Sequence, residues 1–148
     1  MGNIFFLLQE INAMFLTDLI PLRTLGDDRG GLTVLEGGND LPFEIKRVYY
    51  LTRTKPKVSR GFHAHIALRQ MAVCISGECE MVMDDGYVRE TVLMNSSERG
   101  ILIEPMVWHE MHNFSEDCVL LVLASDIYDE ADYIRIYDDF LEIVRAKS

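Results

Sequence analysis

The sequence predicts an all-β domain, an antiparallel sandwich or barrel of short strands followed by one C-terminal helix. Three observations predict it. Short segments rich in β-branched and aromatic residues alternate with Gly-, Asn- and Asp-containing turns. From about Glu130 the apolar spacing changes to the helical period. A length of 148 residues gives room for one domain whose core needs no disulfide staple.

The elements follow in order. Residues 1–15 precede or flank a second methionine, Met14, and read either as a first segment or as an over-long start; residues 16–148 read as a single domain. Leu32–Glu36 is an isolated strand leading into the turn Gly37-Gly38-Asn39-Asp40. Glu44–Thr52 is a strand, followed by the basic loop RTKPKVSRG. GFHAHI is extended, and Arg69–Ser76 is a strand that stops at Gly77. Glu78–Met83 alternates acidic with apolar residues before Asp85-Gly86, a strong hairpin dipeptide. YVRETVLM, ILIEP, VWHEMHNF and CVLLVLAS complete the strands. In the tail Tyr133, Ile134, Tyr137, Phe140, Leu141 and Val144 form a helical stripe, with Asp126 or Asp129 as N-cap. That stripe reads as packing on the barrel exterior, with Tyr128, Tyr133 and Tyr137 as amphipathic cover.

Composition narrows the function. The net charge is −10, which argues against nucleic acid as a main partner. No apolar run is long enough for a membrane helix, and Ile4–Leu8 lacks the basic flank of a signal peptide. Cys74, Cys79 and Cys118 are an odd count without metal-ligand spacing, so reduced thiols in the cytoplasm are expected. From Ile45 to Gly77 there is no Asp or Glu, yet that window holds seven of the 14 basic residues. It reads as a solvated basic loop or as a local site for a phosphate or diphosphate.

The sharpest feature is His63-Ala64-His65. Residues i and i+2 of a strand face one side, so both imidazoles point into one space. Val107, His109, Met111 and Asn113 share a parity, so His109 can face the same interior from a neighbouring strand, whereas His112 lies on the other face. Imidazole is the side chain suited to proton transfer near neutrality. Tyr49 and Tyr50 face opposite ways, as do Lys46 and Arg47; Arg47 shares the parity of Tyr49. Trp108 and Phe62, as single aromatics on strands, read as core before they read as stacking platforms.

Gly61-Phe62-His63-Ala64-His65, then Gln70 and Gly77, resembles the first motif of the cupin superfamily. Gly100 to Asn113, with Pro105 and His109 at their spacing, resembles the second. The resemblance implies a cupin-type antiparallel jelly-roll barrel with a C-terminal helix. Metal-binding cupins carry Glu where this chain has Gln70, and a neutral amide is the poorer ligand. The expectation is therefore no metal and no cofactor, although three imidazoles alone can hold an ion.

PFEIKRVYYL, RGFHAHIALRQ, CISGECEMVMDDG, PMVWHEMHNFS, DCVLLVLASDIYDE and ADYIRIYDDF are together similar to the sugar 3,4-ketoisomerases. The resemblance implies a TDP-linked 4-keto-6-deoxyglucose substrate, transfer of the keto group from C4 to C3 through an enediol, and acid–base work by the HxH histidines. His63 is read as the carbon base and His65 as the relay between oxygens, with the order of the two open. Arg60 is the candidate stabiliser of the enediolate, and Tyr49 a proton donor or else barrel packing. Arg47 is assigned to the diphosphate, and His109 and Gln70 to substrate binding. Arg29 and His112 match a galacto-type product pattern, although Arg29 equally suits a turn beside Gly30 and Gly31. A homodimer with an exchanged N-terminal strand is implied. The competing readings are a metal-dependent cupin enzyme, a non-catalytic nucleotide-sugar-binding module and a sugar 3,5-epimerase.

Overall fold

A computed structural model describes residues 15–147. The expectation about residues 1–15 therefore lies, but for Phe15, outside the described residues. Twelve strands are present among them: β1 (Leu19–Pro21), β2 (Arg23–Asp27), β3 (Gly30–Val34), β4 (Arg47–Leu51), β5 (Arg60–His65), β6 (Gln70–Ser76), β7 (Cys79–Asp84), β8 (Arg89–Met94), β9 (Arg99–Ile103), β10 (Trp108–His112), β11 (Val119–Ala124) and β12 (Tyr133–Ile134). One helix, α1 (Tyr137–Ala146), closes the order. The strands form two five-stranded sheets, β1-β9-β6-β11-β4 and β12-β5-β10-β7-β8, and a separate β2-β3 ribbon. All named strand pairs are antiparallel. This is the all-β, jelly-roll-like architecture with a C-terminal helix that the sequence predicts.

Period-two alternation explains how the sheets close on each other. Along β6, Ala72 and Cys74 enter the core between the sheets, where they meet Met81, Met83, Ile101, Leu120 and Val122. Met71 and Val73 point to the opposite face and pack with Ile20, Leu22, Leu41 and Phe43. A strand buried on both faces must be apolar at nearly every position, which is why MAVC is uninterrupted. The outer face of the second sheet is covered by a third cluster, in which Phe140 of α1 meets Ala64, Trp108 and Ile134. Trp108 is thus core, as its strand position suggests.

Two expectations are corrected. The segment read as an isolated strand at Leu32–Glu36 is β3, begins at Gly30, and pairs along its whole length with β2 in a hairpin. The exposed Arg23, the polar Thr24 and the glycine at Gly26 hid β2 from a reading based on apolar runs. The C-terminal helix begins at Tyr137 and not near Glu130. Asp129 does cap, but it caps a 3₁₀ turn at Glu130–Asp132, accepting from the Ala131 N–H. Tyr133 and Ile134 then pair with His65 and Ala64 at the open edge of β5. As strand neighbours they face opposite ways: Ile134 enters the third cluster, and Tyr133 faces the barrel interior. The sheet edge offers those two backbones hydrogen bonds that override the local helical spacing.

Candidate active site

β5 carries a bulge that sets the site. His63 pairs with His109 and Gly61 with Glu110, so Phe62 is the extra residue. Gly61 and Phe62 both have positive φ, +90° and +59°. A Cβ on Gly61 would stand 2.8 Å from the His109 carbonyl oxygen, so this position requires glycine. The bulge turns Phe62 outward, where it meets the ring of His112 edge-on. It also aims the Gly61 carbonyl at His63, whose Nδ1 donates to it at 3.1 Å.

The expected convergence of three histidines is present. The nitrogen ligand atoms of His63, His65 and His109 all lie within 4.8 Å of one another. Ring centroids are 4.5 Å apart for His63 and His109 and 5.0 Å for His63 and His65. His109 Nδ1 donates to the Val107 carbonyl at 3.2 Å. His65 Nδ1 lies 3.2 Å from Asp132 Oδ2. A carbonyl or a carboxylate only accepts, so each imidazole holds its proton on Nδ1 and keeps its lone pair on Nε2. Asp132 is itself fixed by the backbone N–H groups of Ala67 (2.8 Å) and Leu68 (3.2 Å).

Burial and mutual proximity keep all three histidines neutral. Desolvation first, and the neighbouring His63 second, bring His65 to about 4 against the pull of Asp132. The same two causes bring His109 to about 3. His63 is lowered chiefly by desolvation. At neutral pH the trio therefore offers three lone pairs and no charge.

His63 and His109 line a cavity of about 340 Å³ between the sheets, together with Arg47, Tyr49, Arg60 and Gln70. His65 lines an adjoining cavity of about 180 Å³ that shares Arg47 and Tyr133 with the first. Tyr49 Oη accepts from Gln70 Nε2 at 2.6 Å, and burial pushes its phenol up to about 12. The Arg47 guanidinium lies over the rings of Tyr49 (5.5 Å) and Tyr128 (5.8 Å). Among the described residues, the buried side-chain nitrogens and oxygens without a partner are Arg47 Nε, His65 Nε2 and Gln70 Oε1. All three belong to residues lining these two cavities. A buried polar atom left unpaired is costly, so three at one place mark a spot shaped for a polar ligand.

Of the residues singled out from the sequence, His63, His65, His109, Arg47, Tyr49, Arg60 and Gln70 therefore meet here. Arg29 does not. It sits in the β2–β3 turn, its side chain 86% exposed, and holds Asp27 with its guanidinium. A two-residue loop brings an arginine and an aspartate of opposite charge together, which is the turn reading. His112 also lies off the cavity, with Nδ1 2.7 Å from Ser59 Oγ and Nε2 3.6 Å from Glu110. Lys46 pairs outward with Asp126, and Arg69 is held by Glu104 and the Pro42 carbonyl. Part of the basic window is thus structural.

Three residues at the site escaped the sequence reading. Tyr133 stands 5.0 Å from His63 and 4.4 Å from His65, ring to ring. Asp132 orients His65. Arg135 lines the larger cavity with its guanidinium 4.2 Å over Tyr133, paired to Glu130. All three lie in the stretch read as helix; the alternation Asp-Tyr-Ile-Arg was the available signal.

Comparison with known proteins agrees with this geometry. The family model described as "FdtA: WxcM-like, C-terminal" matches residues 16–145. A TDP-4-oxo-6-deoxy-alpha-D-glucose-3,4-oxoisomerase of Aneurinibacillus thermoaerophilus is 48% identical over 126 residues, covering 85% of this chain and 91% of the relative. Among solved structures, a 3,4-ketoisomerase from Helicobacter canadensis is similar with a TM-score of 0.84 and 44% identity, covering 86% of this chain and 96% of the other. A variant of the 3,4-ketoisomerase QdtA from Thermoanaerobacterium thermosaccharolyticum, in complex with TDP-4-keto-6-deoxyglucose, is similar with a TM-score of 0.86 and 39% identity, covering 90% and 97%.

Proposed function

The chain belongs to the FdtA family (WxcM-like, C-terminal), and on that premise we propose how it works as a sugar 3,4-ketoisomerase on TDP-4-keto-6-deoxy-D-glucose. The observation that carries the site assignment is the trio of unpaired buried polar atoms beside three neutral histidines.

The reaction is a tautomerisation. A base removes the proton on C3, which the C4 ketone acidifies, and the C4 oxygen gains a proton, giving an enediol. The C3 hydroxyl then gives up its proton and C4 receives one, leaving the ketone at C3. His63 is the carbon base: it lines the larger cavity, and desolvation keeps its Nε2 lone pair free at neutral pH. His65 carries protons between the two oxygens, and Asp132 stabilises the imidazolium that forms on each transfer. Tyr49, tied to Gln70 and raised to about 12, serves as a neutral donor to the sugar oxygens. Arg60 stabilises the enediolate, and Arg47, with one buried N–H unpaired, binds the diphosphate. His109 and Gln70 hold the sugar through neutral hydrogen bonds.

The histidine trio also fits a divalent ion, since its lone pairs converge and each Nδ1–H is held from behind. Such an ion would be held by His63, His65 and His109 and would polarise a keto oxygen. No step above runs through it, and Gln70 offers an amide where a carboxylate would favour an ion. The reaction proposed here needs neither metal nor cofactor.

Residues 16–148 act as one domain in this reading, within the cytoplasm, as a homodimer. The β2–β3 hairpin supports the dimer: it belongs to neither main sheet and exposes Leu25 and Leu32 at 60% and 58%. Exchange of this arm would carry Arg29 towards the partner's site. With His112 it underlies the proposed galacto configuration of the product.

The test is proton NMR of TDP-4-keto-6-deoxyglucose in heavy water with chelator-stripped enzyme. Deuterium at C3 of the recovered substrate and at C4 of the 3-keto product is the expected result, and the H4–H5 coupling of product made in ordinary water reads the configuration. No exchange without metal, restored by a divalent ion, would overturn the metal-free mechanism. Exchange at C5 would point to an epimerase.

A further inference from the structure

The barrel interior has a second cluster of reactive side chains that the isomerisation does not use. Cys74 ends the inward-facing series Gln70, Ala72, Cys74 on β6; Cys79 begins the series Cys79, Met81, Met83 on β7; Cys118 stands just ahead of β11 in register with Leu120 and Val122. Ala72, Met81 and Leu120 line the larger cavity, so the three cysteines form the layer directly beneath its floor. All three are free and buried, with exposures of 1% or less.

Their geometry is that of a ligand set. The three Sγ atoms lie within 4.8 Å of one another, and Cys74 and Cys118 are 3.8 Å apart. Thiolates bound to zinc at about 2.3 Å in a tetrahedral arrangement lie roughly 3.8 Å from each other. A disulfide would require a separation of about 2.05 Å and would leave one of the three unpaired. The chain is held rigidly at this point. A Cβ on Gly77, in the β6–β7 turn, would stand 2.3 Å from Ser115 Oγ and 2.8 Å from the Cys118 nitrogen, and Ser115 N donates to the Glu78 carbonyl. The turn that delivers Cys79 is thereby locked to the segment that delivers Cys118.

We propose that Cys74, Cys79 and Cys118 form a trithiolate site for one soft, thiophilic cation such as zinc or cadmium, tying β6, β7 and the start of β11 together beneath the active-site floor. Three sulfurs of this softness select such ions over magnesium or calcium. Binding displaces the three thiol protons to solvent, so occupancy rises with pH. Three sulfurs leave one tetrahedral position for a non-protein ligand, and the role of the site is to staple the barrel.

The test uses the full chain, reduced, freed of metal with a chelator, and loaded with cadmium during refolding and separately in the native state. The expected result is about one cadmium per chain retained on gel filtration, with thiolate-to-cadmium charge-transfer absorbance and a raised thermal midpoint. All three signals persist in His63→Asn and disappear in Cys79→Ser and Cys118→Ser. Where a serine variant does not fold, alkylation counting replaces it: in urea sufficient to open the metal-free chain to a cysteine reagent, bound cadmium protects three thiols of the wild-type chain. Absence of the charge-transfer band in the wild-type chain, its survival in the cysteine variants, or metal lost only with the histidines would each overturn the proposal. Three cysteines serving only as small apolar filler would show the first of these outcomes.

Discussion

Strand β6 contributes to two chemically opposite layers, and the contrast shows where this fold places its polar risk. At the mouth, β6 contributes Gln70 and its unpaired carbonyl oxygen; four residues on, the same face of β6 contributes the buried sulfur of Cys74. The mouth leaves Arg47 Nε, His65 Nε2 and Gln70 Oε1 without partners, and among the described residues the floor leaves no buried side-chain nitrogen or oxygen unpaired. A folded protein tolerates such deficits where a ligand makes them good. Around both, Met81, Met83 and Met94 fill core space without polar demands. Function is thus separable from stability along one barrel axis.

Four measurements break or sharpen that separation. The largest effect is expected for His63→Asn, which removes the carbon base. Turnover should fall by about 10²–10⁴ while the urea midpoint moves little; a large loss of stability with it would erase the contrast. Met94→Ala, opposite Cys79 at the floor, should do the reverse: about 2–5 kcal/mol of stability lost, with kcat per folded molecule retained. Asp132→Asn tests orientation. It preserves shape but weakens the hold on the Nδ1 proton of His65, and kcat should fall about 10- to 100-fold with KM little changed. Because Asp132 raises the His65 pKa, its removal keeps His65 neutral to lower pH, and the loss should shrink towards acid pH. A KM effect alone would move Asp132 out of the proton relay.

The smallest effect concerns pH. His65 and His109 titrate in the folded chain at about 4 and about 3, below the ordinary value of 6.5. Between those values the unfolded chain binds protons that the folded chain does not, so stability rises with pH in that window. It should be flat above about 6.5 and decline as pH falls towards 4, by urea midpoint across a pH series. The slope should lessen in His109→Asn. A midpoint that rises on acidification would contradict the neutral trio.

Period two made most of the barrel legible. His63, His65 and His109 could be placed in one space from parity alone, as could Tyr49 against Tyr50 and Arg47 against Lys46, because an unbroken strand fixes the side of every residue. What parity misses is chain geometry that breaks it. The bulge at Phe62 preserves the facing of His63 and His65 only because it lies ahead of both. Asp132, Tyr133 and Arg135 were assigned to a helix because Tyr133, Ile134 and Tyr137 also satisfy a helical period, and two residues are too few to establish a strand. The cysteines are close in space only through the locked turn at Gly77 and the register shift at Val119 and Leu120, neither of which spacing along the chain records. Arg29 was tied to the site by resemblance, and no contact within one chain bears on it.

The two-residue strand β12 has a consequence for how the site is completed. The histidines come from β5 and β10, both complete by His112; by Ala124 one main sheet has all its strands and the other lacks only that edge strand. Asp132, Tyr133 and Arg135 arrive afterwards, on a tail that docks through Tyr133, Ile134 and Phe140. The barrel and its bases can therefore be complete while this tail is undocked, and the histidine cluster then has no carboxylate to set the proton on His65. One short sheet edge and one apolar cluster hold the completing piece of the site in place.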